Sequence, residues 1–395
     1  MSTEKRTSTQ ETFMASKDQI VVATIAFGMG IDKADIRNIV HFAIPKSIEG
    51  YSQEIGRAGR DGLPSTCIAY LCHDDIRIME EWSRADIPSF RSINGLVGEI
   101  LEMYKFSKTG DVIERHLNDE SREWDIRLAA LGLLNAQLEL RFSLIRAITP
   151  KYSNYKYTRS SGFEAKTADS SKVTSTLKKT SKTTKKWTQI DVDVAAFTGG
   201  FPREDAVRKL QQWHDSGAIE LSPSGVVNRF RIVNPFPKTQ AEKDDIIEGI
   251  YEQIKARERS DMERVQQVID LLTASECIST KLARHFGDDI LVESGKCEHC
   301  NWCITGKAVE YSRGQMVTKD AINEDKIKAI LKATSVRDDA NFLARVAFGI
   351  SSPRVTIEKL GKHEVFGSLS GCDFEVSICF FPTAMPPSCC FGATF

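Results

Sequence analysis

Four cysteines, Cys277, Cys297, Cys300 and Cys303, constrain this 395-residue chain more tightly than any other feature. Nineteen residues separate the first from the second, and two lie between each later pair. Four thiolates are enough to close a tetrahedral zinc site and leave no open position for water. Such a centre folds a chain and performs no catalysis. Zinc ribbons use paired Cys-x2-Cys units, so the distant Cys277 departs from that spacing; four free thiols is the bland alternative. His285 and His299 lie near enough to compete as ligands, but His285 fits a helix face and His299 sits between ligands, so both read as bystanders. The polar N-terminus does not read as a signal peptide, which favours metal over disulfide.

The chain opens with an α/β pattern. Gln19–Thr24, Ile39–Phe42 and Cys67–Leu71 are short runs suited to buried parallel strands. Ser47 to Gly56 reads as a helix, capped by Ser47 with Glu49 in its first turn. Strands alternating with short helices indicate a parallel sheet. Cys67 and Cys72 read as small buried hydrophobes. Directly after the helix, Gln53-Glu-Ile-Gly-Arg57-Ala-Gly-Arg60-Asp-Gly62 places two arginines among glycines. Guanidinium forks stay charged and match phosphate oxygens, so the pattern suits a polyphosphate. Surface salt bridges are the competing reading. A second Gly-rich segment, Ala23 to Lys33, lies upstream.

Residues 92–158 change character. Leu96, Val97, Ile100, Leu101 and Tyr104 repeat at helical spacing, as do Trp124, Ile126, Leu128, Leu131, Leu134 and Leu138. Ser143 to Tyr157 reads as a hairpin turning near Pro150, making a winged-helix-like α+β unit. Between Arg141 and Lys186 twelve Lys/Arg stand against two acids, within a chain of net charge −1. The Ser/Thr/Lys-rich part, 159–186, has too little apolar content to offset its ordering entropy and reads as a disordered basic linker. A second winged-helix-like unit follows over 187–236: Ala206, Val207, Leu210 and Trp213 share a helix face, Gly217 ends the helix, and Pro223-Ser224-Gly225 turns the chain. Its return strand puts Arg229 and Arg231 on one face. Lys151, Lys156, Arg159, Arg229 and Arg231 are candidates for DNA phosphate contact, against the alternative of a solvated linker. A helical zinc-binding domain spans 239–310, with Met262, Val265, Val268, Ile269 and Leu272 as its seam, and a helical region spans 320–370. The tail, 376–395, has no helical or strand period and resembles read-through of non-coding sequence. No run approaches the roughly 18 apolar residues of a membrane span.

Residues 6–75 closely resemble the C-terminal half of the second RecA-like lobe of RecQ DNA helicases. ATIAFGMGIDK and PKSIEGYSQEIGRAGRDGLPS carry the match, and Arg6, Gln10 and Phe13-Met14 fit its lead-in. The resemblance implies roles. Arg60 is the arginine finger for the γ-phosphate of ATP, and Arg57 helps hold the same phosphates. Asp32 and Gly30 contact the nucleotide, Gln53 links hydrolysis to DNA, and Thr24 lies near a DNA backbone phosphate. The four cysteines resemble the RecQ zinc-binding domain, in which one Cys on a helix joins three from a following loop. The implied fold is a partial RecA-like α/β lobe at 1–84, then α+β winged-helix-like units, then a small helical zinc-binding domain.

Departures from the family are equally plain. No Gly-x4-Gly-Lys-Ser/Thr phosphate loop occurs, and no Asp-Glu-x-His; Gly295-Lys296-Cys297 and Gly361-Lys362-His363 lack the upstream glycine and the hydroxyl. ATP and Mg²⁺, implied by the family, would need a first lobe outside this sequence. In RecQ proteins the zinc domain follows the second lobe closely, with the winged helix after it; here a long segment intervenes and carries the winged-helix-like units first, a departure from the family's usual DNA-docking geometry. The expectation is a RecQ-like ATP-dependent 3′-to-5′ DNA helicase of recombination and repair, represented by an incomplete chain or truncated gene model and inactive alone. It would be nuclear in a eukaryote and otherwise cytoplasmic or nucleoid-associated. One alternative is a non-catalytic zinc and winged-helix DNA-binding module, and another is a zinc-stabilised interaction domain with no DNA role. The sequence sets no oligomeric state.

Overall fold

Ser47 takes the extended backbone of a helix cap, and its hydroxyl accepts from the Gly50 N–H at 3.2 Å. The helix it starts organises the first part of the chain. The structure, a computed structural model, describes residues 2–28, 31–184, 187–288, 295–311, 323–372, 374, 378 and 381. It divides into one unit of Met1–Ser89 with Tyr251–Phe395 and a second of Phe90–Ile250. The first unit begins α1 (Thr3–Ala15), α2 (Ile25–Gly28), β1 (Asn38–His41), α3 (Ile48–Ile55), β2 (Thr66–Ala69) and α4 (His73–Ala85). β1 and β2 pair in parallel from Asn38↔Thr66 to His41↔Ala69, as strands joined by a helical crossover do. The strand expected at Gln19–Thr24 does not form. Ile20 and Val22 are 89% and 98% exposed, and with no described strand beside them a lone extended run has no ladder to stabilise it. Cys67 and Cys72, expected to be buried, are exposed.

The second unit contains α5 (Phe90–Met103), β3 (Val112–Arg115), α6 (Leu117–Glu123), α7 (Leu128–Leu140), β4 (Ile145–Arg159), α8 (Phe163–Lys166), α9 (Lys172–Thr180), β5 (Lys182–Thr183), β6 (Thr188–Asp191), α10 (Val192–Gly199), α11 (Arg203–Asp215) and β7 (Ile219–Ile232). Its strands form one antiparallel sheet in the order β3-β7-β4-β6-β5. Two expected turns are absent. The hairpin placed at Ser143–Tyr157 is a single long strand, β4. Pro150, which has no N–H for the ladder, falls in a register shift between Ile148 and Lys151. Likewise β7 runs through Pro223–Gly225. Gly225, at φ +70°, stays in register opposite Ser153, whose hydroxyl donates to the Gly225 carbonyl at 3.1 Å. The two helix-and-hairpin units read from the sequence are therefore joined by the β4–β7 ladder.

The segment expected to be a disordered linker is folded over its described residues, 159–184. Phe163 and Leu177 are 5% and 0% exposed and share a core with Tyr157, Ile190, Leu210 and Trp213. Phe163 stacks on Tyr157 at 6.2 Å between centroids and meets the Trp213 edge at 5.8 Å. Arg159 and Lys178 lie over the Phe163 ring at 4.7 and 5.3 Å, cations packed on an aromatic face. Ser171 caps α9, and Asp169 accepts from the Ser171 N–H at 2.9 Å and the Thr174 hydroxyl at 2.8 Å. Averaged composition hides a pattern in which two large apolar residues fall where a core needs them. Leu177→Ala should lower the unfolding free energy of this unit by about 2–5 kcal/mol, read as a lower urea midpoint. An unchanged midpoint would mean the segment is not part of the core.

α12 (Gln240–Leu272) starts in the second unit and ends in the first. Beyond it come α13 (Ile278–His285), α14 (Asn301–Thr305), α15 (Glu324–Ala333), α16 (Ala340–Phe348) and α17 (Pro353–Ile357). The α12 seam is buried: Val265 and Ile269 pack with Ile44 and Met79, and Val268, Leu271 and Leu272 pack with Ile48 and Tyr51 of α3. Ile278 and Leu282 of α13 join the second of these clusters. The cysteine-bearing region thus lies against the helix that precedes the arginines, despite their separation in sequence. Ile330, Phe342, Phe348 and Val355 form a further core with Ala85. The tail read as irregular, 376–395, falls outside the described residues except Ile378 and Phe381, which pack on that core.

Candidate arginine-motif site and metal centre

α3 delivers the arginine motif. Its buried Ile48 and Tyr51 fix it on one side, and Glu49 in the first turn suits the positive end of the helix dipole. The chain leaves at Gly56 and turns at Gly59, which has φ +61° and an N–H that donates to the Ile36 carbonyl at 3.0 Å. A Cβ there would meet the Leu63 carbonyl oxygen and the Ser65 hydroxyl at 2.8 Å each. Both conformation and space demand glycine. Gly59→Ala should cost about 1–2 kcal/mol for the left-handed backbone alone, with the clash added. A thermal midpoint equal to the parent's would show that the loop relaxes freely. Arg37 holds the far side of the turn: it ion-pairs with Asp61 and donates to the Leu63 and Pro64 carbonyls at 3.1 and 3.2 Å.

Arg60 is exposed. Its Nη1 donates to Asp32 Oδ1 at 2.7 Å, and its Nε to the Gly56 carbonyl at 3.3 Å. Two residues singled out from the sequence are therefore in direct contact. An ion pair this open to solvent is weak, so Arg60 can exchange the carboxylate for a phosphate. Arg57 is half-buried one turn earlier, and Gln53 is exposed on α3. Thr24 is exposed, and Gly30 lies outside the described residues. One contact was not readable from the sequence. His41, 7% exposed, points Nε2 at Glu54 Oε2 over 2.7 Å, with the Tyr51 ring 5.3 Å away. It ties β1 to the last turn of α3. A histidine inside an apolar strand run was the only available signal.

The four cysteine sulfurs all lie within 4.8 Å of one another. Cys277 precedes α13, Cys300 precedes α14, and Cys303 lies within α14, so two helix starts hold the group together. Tetrahedral Zn–S bonds of about 2.3 Å set sulfurs about 3.8 Å apart. The Cys297–Cys303 and Cys300–Cys277 separations are 4.0 Å, so the residues fit zinc and the all-thiolate set suits it. Burial pushes the Cys277 thiol up, but the Thr280 hydroxyl and backbone donors outweigh this and bring it down to about 6. Burial and the neighbouring sulfurs push Cys303 up to about 11. Clustered thiols cannot all ionise without a cation among them. His285 is not among the clustered ligands and is engaged by Glu49: its Nε2 lies 3.0 Å from Glu49 Oε1, an interaction that holds the Glu49 carboxyl down at about 2.

The proposed DNA-facing cations divide into two kinds. Lys151 Nζ lies 2.9 Å from Glu114 and 3.8 Å from Asp193, and Arg229 Nε lies 3.9 Å from Glu114. Arg203 Nε reaches Asp193 at 3.0 Å. Lys151 and Arg229 thus belong to an internal charge network that ties β3, β4, β7, α10 and α11. Lys156 and Arg231 are exposed.

Comparison with known proteins finds two family matches. Residues 1–62 match the helicase conserved C-terminal domain, and residues 240–304 match the RecQ zinc-binding family. The RecQ-like DNA helicase blm-1 of Caenorhabditis elegans is 58% identical over 74 residues, 18% of this chain and 8% of that protein. The ATP-dependent helicase SGS1 of Saccharomyces cerevisiae is 49% identical over 86 residues, 22% of this chain and 6% of that protein. The human ATP-dependent DNA helicase Q4 is 39% identical over 102 residues, 25% of this chain and 8% of that protein. The matched stretches are thus small parts of these relatives. No described helix is long and apolar enough to cross a membrane.

Proposed function

We propose, for a chain that carries the C-terminal region of a RecQ-family helicase, that it supplies the arginine-bearing side of an ATP-driven, 3′-to-5′ DNA-unwinding site. The observation that carries this reading is the exposed Arg60, held by the exchangeable Asp32 on a loop that only glycine can turn. Arg60 would serve the γ-phosphate, where a positioned guanidinium stabilises developing charge. Arg57 would hold the same phosphates, Asp32 and Gly30 the nucleotide, Gln53 the link to DNA, and Thr24 a backbone phosphate. ATP and Mg²⁺ supply the energy and the metal clamp when an opposing lobe binds them; these 395 residues contain no phosphate loop. Zn²⁺ at the four cysteines would brace α13 against α3. We read α9–α11 with the β5–β6 hairpin as a winged-helix-like platform for duplex DNA, and the setting as nuclear recombination and repair.

Residues 1–395 alone should therefore bind DNA and hydrolyse no ATP. Salt-dependent DNA binding together with an absence of DNA-stimulated phosphate release is the expected result. DNA-stimulated release by the pure chain would sink this reading. The four-cysteine cluster also supports a second one, a non-catalytic zinc-built DNA-binding module. It differs in a single respect: no supplied lobe would ever confer nucleotide hydrolysis on it.

A further inference from the structure

Arg146 of β4 and Arg231 of β7 stand directly opposite one another in the antiparallel ladder. Residues so placed share a face with Cβ atoms about 4.5–5.5 Å apart, and like charges in that position repel. Both arginines are exposed, and neither has an ion-pair partner among the described residues. The nearest acid along the ladder is Glu114, in the next row of the same face. Its carboxylate is engaged elsewhere, 2.9 Å from Lys151 and 3.9 Å from Arg229. Val112 sits opposite Arg231 on β3, 41% exposed, and extends the row with an apolar flank. The register thus sets two exposed arginines side by side on one face, neither of them in an ion pair among the described residues.

We propose that Arg146 and Arg231 form a two-guanidinium clamp for a backbone phosphate of nucleic acid. A phosphodiester carries one negative charge and two free oxygens, so each planar fork can take one oxygen while the charge relieves the repulsion between them. The clamp reads no bases. It holds the strand in position, as phosphate contacts do. Lys151 and Arg229 are already ion-paired, so they are not part of the clamp. The inference rests on the reading that this chain binds DNA.

The test measures binding of the zinc-loaded full chain to labelled duplexes of two unrelated sequences and to a single strand, by fluorescence anisotropy across a salt series. The double variant Arg146→Ala/Arg231→Ala should bind every probe about tenfold more weakly, with a salt slope shallower by about one. The double lysine variant keeps charge without the fork and should fall between. Relief of repulsion gives an independent readout: the urea midpoint of the alanine variant should hold or rise. Should that variant fail to fold, Arg146→Gln/Arg231→Gln serves in its place. Variant binding equal to the parent's in affinity and slope overturns the clamp and leaves DNA binding standing. Loss confined to one sequence also overturns it, since that marks base reading. Failure of the parent chain to bind any probe removes both readings together.

Discussion

Cys300→Ala should release the metal and unfold the region from Cys277 to Cys303. In small zinc domains metal binding is folding free energy, worth about 10–16 kcal/mol in zinc-finger peptides. Here little else holds the segment around α14. α14 has no buried residue, and among the described residues the two cysteine-bearing segments converge on the sulfurs. The loss should spread. α13 packs Ile278 and Leu282 against Ile48, Tyr51 and Leu272, and His285 meets Glu49 at 3.0 Å. Hydrogen exchange should therefore report lost protection in Ile48–Ile55 as well as around the cysteines. Metal content by mass spectrometry gives the first check, and unchanged zinc in the variant refutes the four-thiolate centre. Cys67→Ala, at an exposed thiol that is not one of the four clustered cysteines, should leave metal content as it was.

Arg60→Ala carries the second large effect. In a protein that joins this chain to a phosphate-loop lobe, it should lower DNA-stimulated ATP hydrolysis by about 10³–10⁵-fold. Folding should be unaffected, because the side chain is 41% exposed and its Asp32 partner 87%. Arg60→Lys should not restore the rate, since a point charge does not reproduce the planar fork. Asp32→Asn separates two roles for that carboxylate: a mere tether for Arg60 would leave hydrolysis intact, whereas a nucleotide contact would not. A rate for Arg60→Ala within a few-fold of the parent would reduce Arg60 to a surface residue.

The parts of this architecture that were legible in the sequence are those in which one local rule decides. Ser47 and Glu49 start α3 because a cap and a helix dipole act within one turn. Val265, Val268, Ile269 and Leu272 form a buried stripe because helical spacing leaves few other arrangements. Pairings between distant strands were not legible. Pro150 signals a turn and a bulge equally well, and only the β4–β7 ladder selects the bulge, while the turn signal at Pro223–Gly225 is overridden by the same ladder. Residues 159–184 failed for a related reason: Phe163 and Leu177 gain their value from Tyr157 and Trp213, which no local window includes. The His41–Glu54 contact and the buried Arg115, which donates to Glu120 at 2.8 and 2.5 Å and to Asn135 at 2.6 Å, are likewise tertiary. The docking of the cysteine region beside α3 depends on a chain that leaves at Ser89 and returns along α12.

ATP hydrolysis with and without a supplied partner lobe decides whether the arginine motif serves a nucleotide. DNA-stimulated phosphate release should be absent from residues 1–395 alone. It should appear once a phosphate-loop lobe is joined upstream, and disappear again with Arg60→Ala. Turnover by residues 1–395 alone, or a joined protein whose turnover ignores Arg60, would contradict the account.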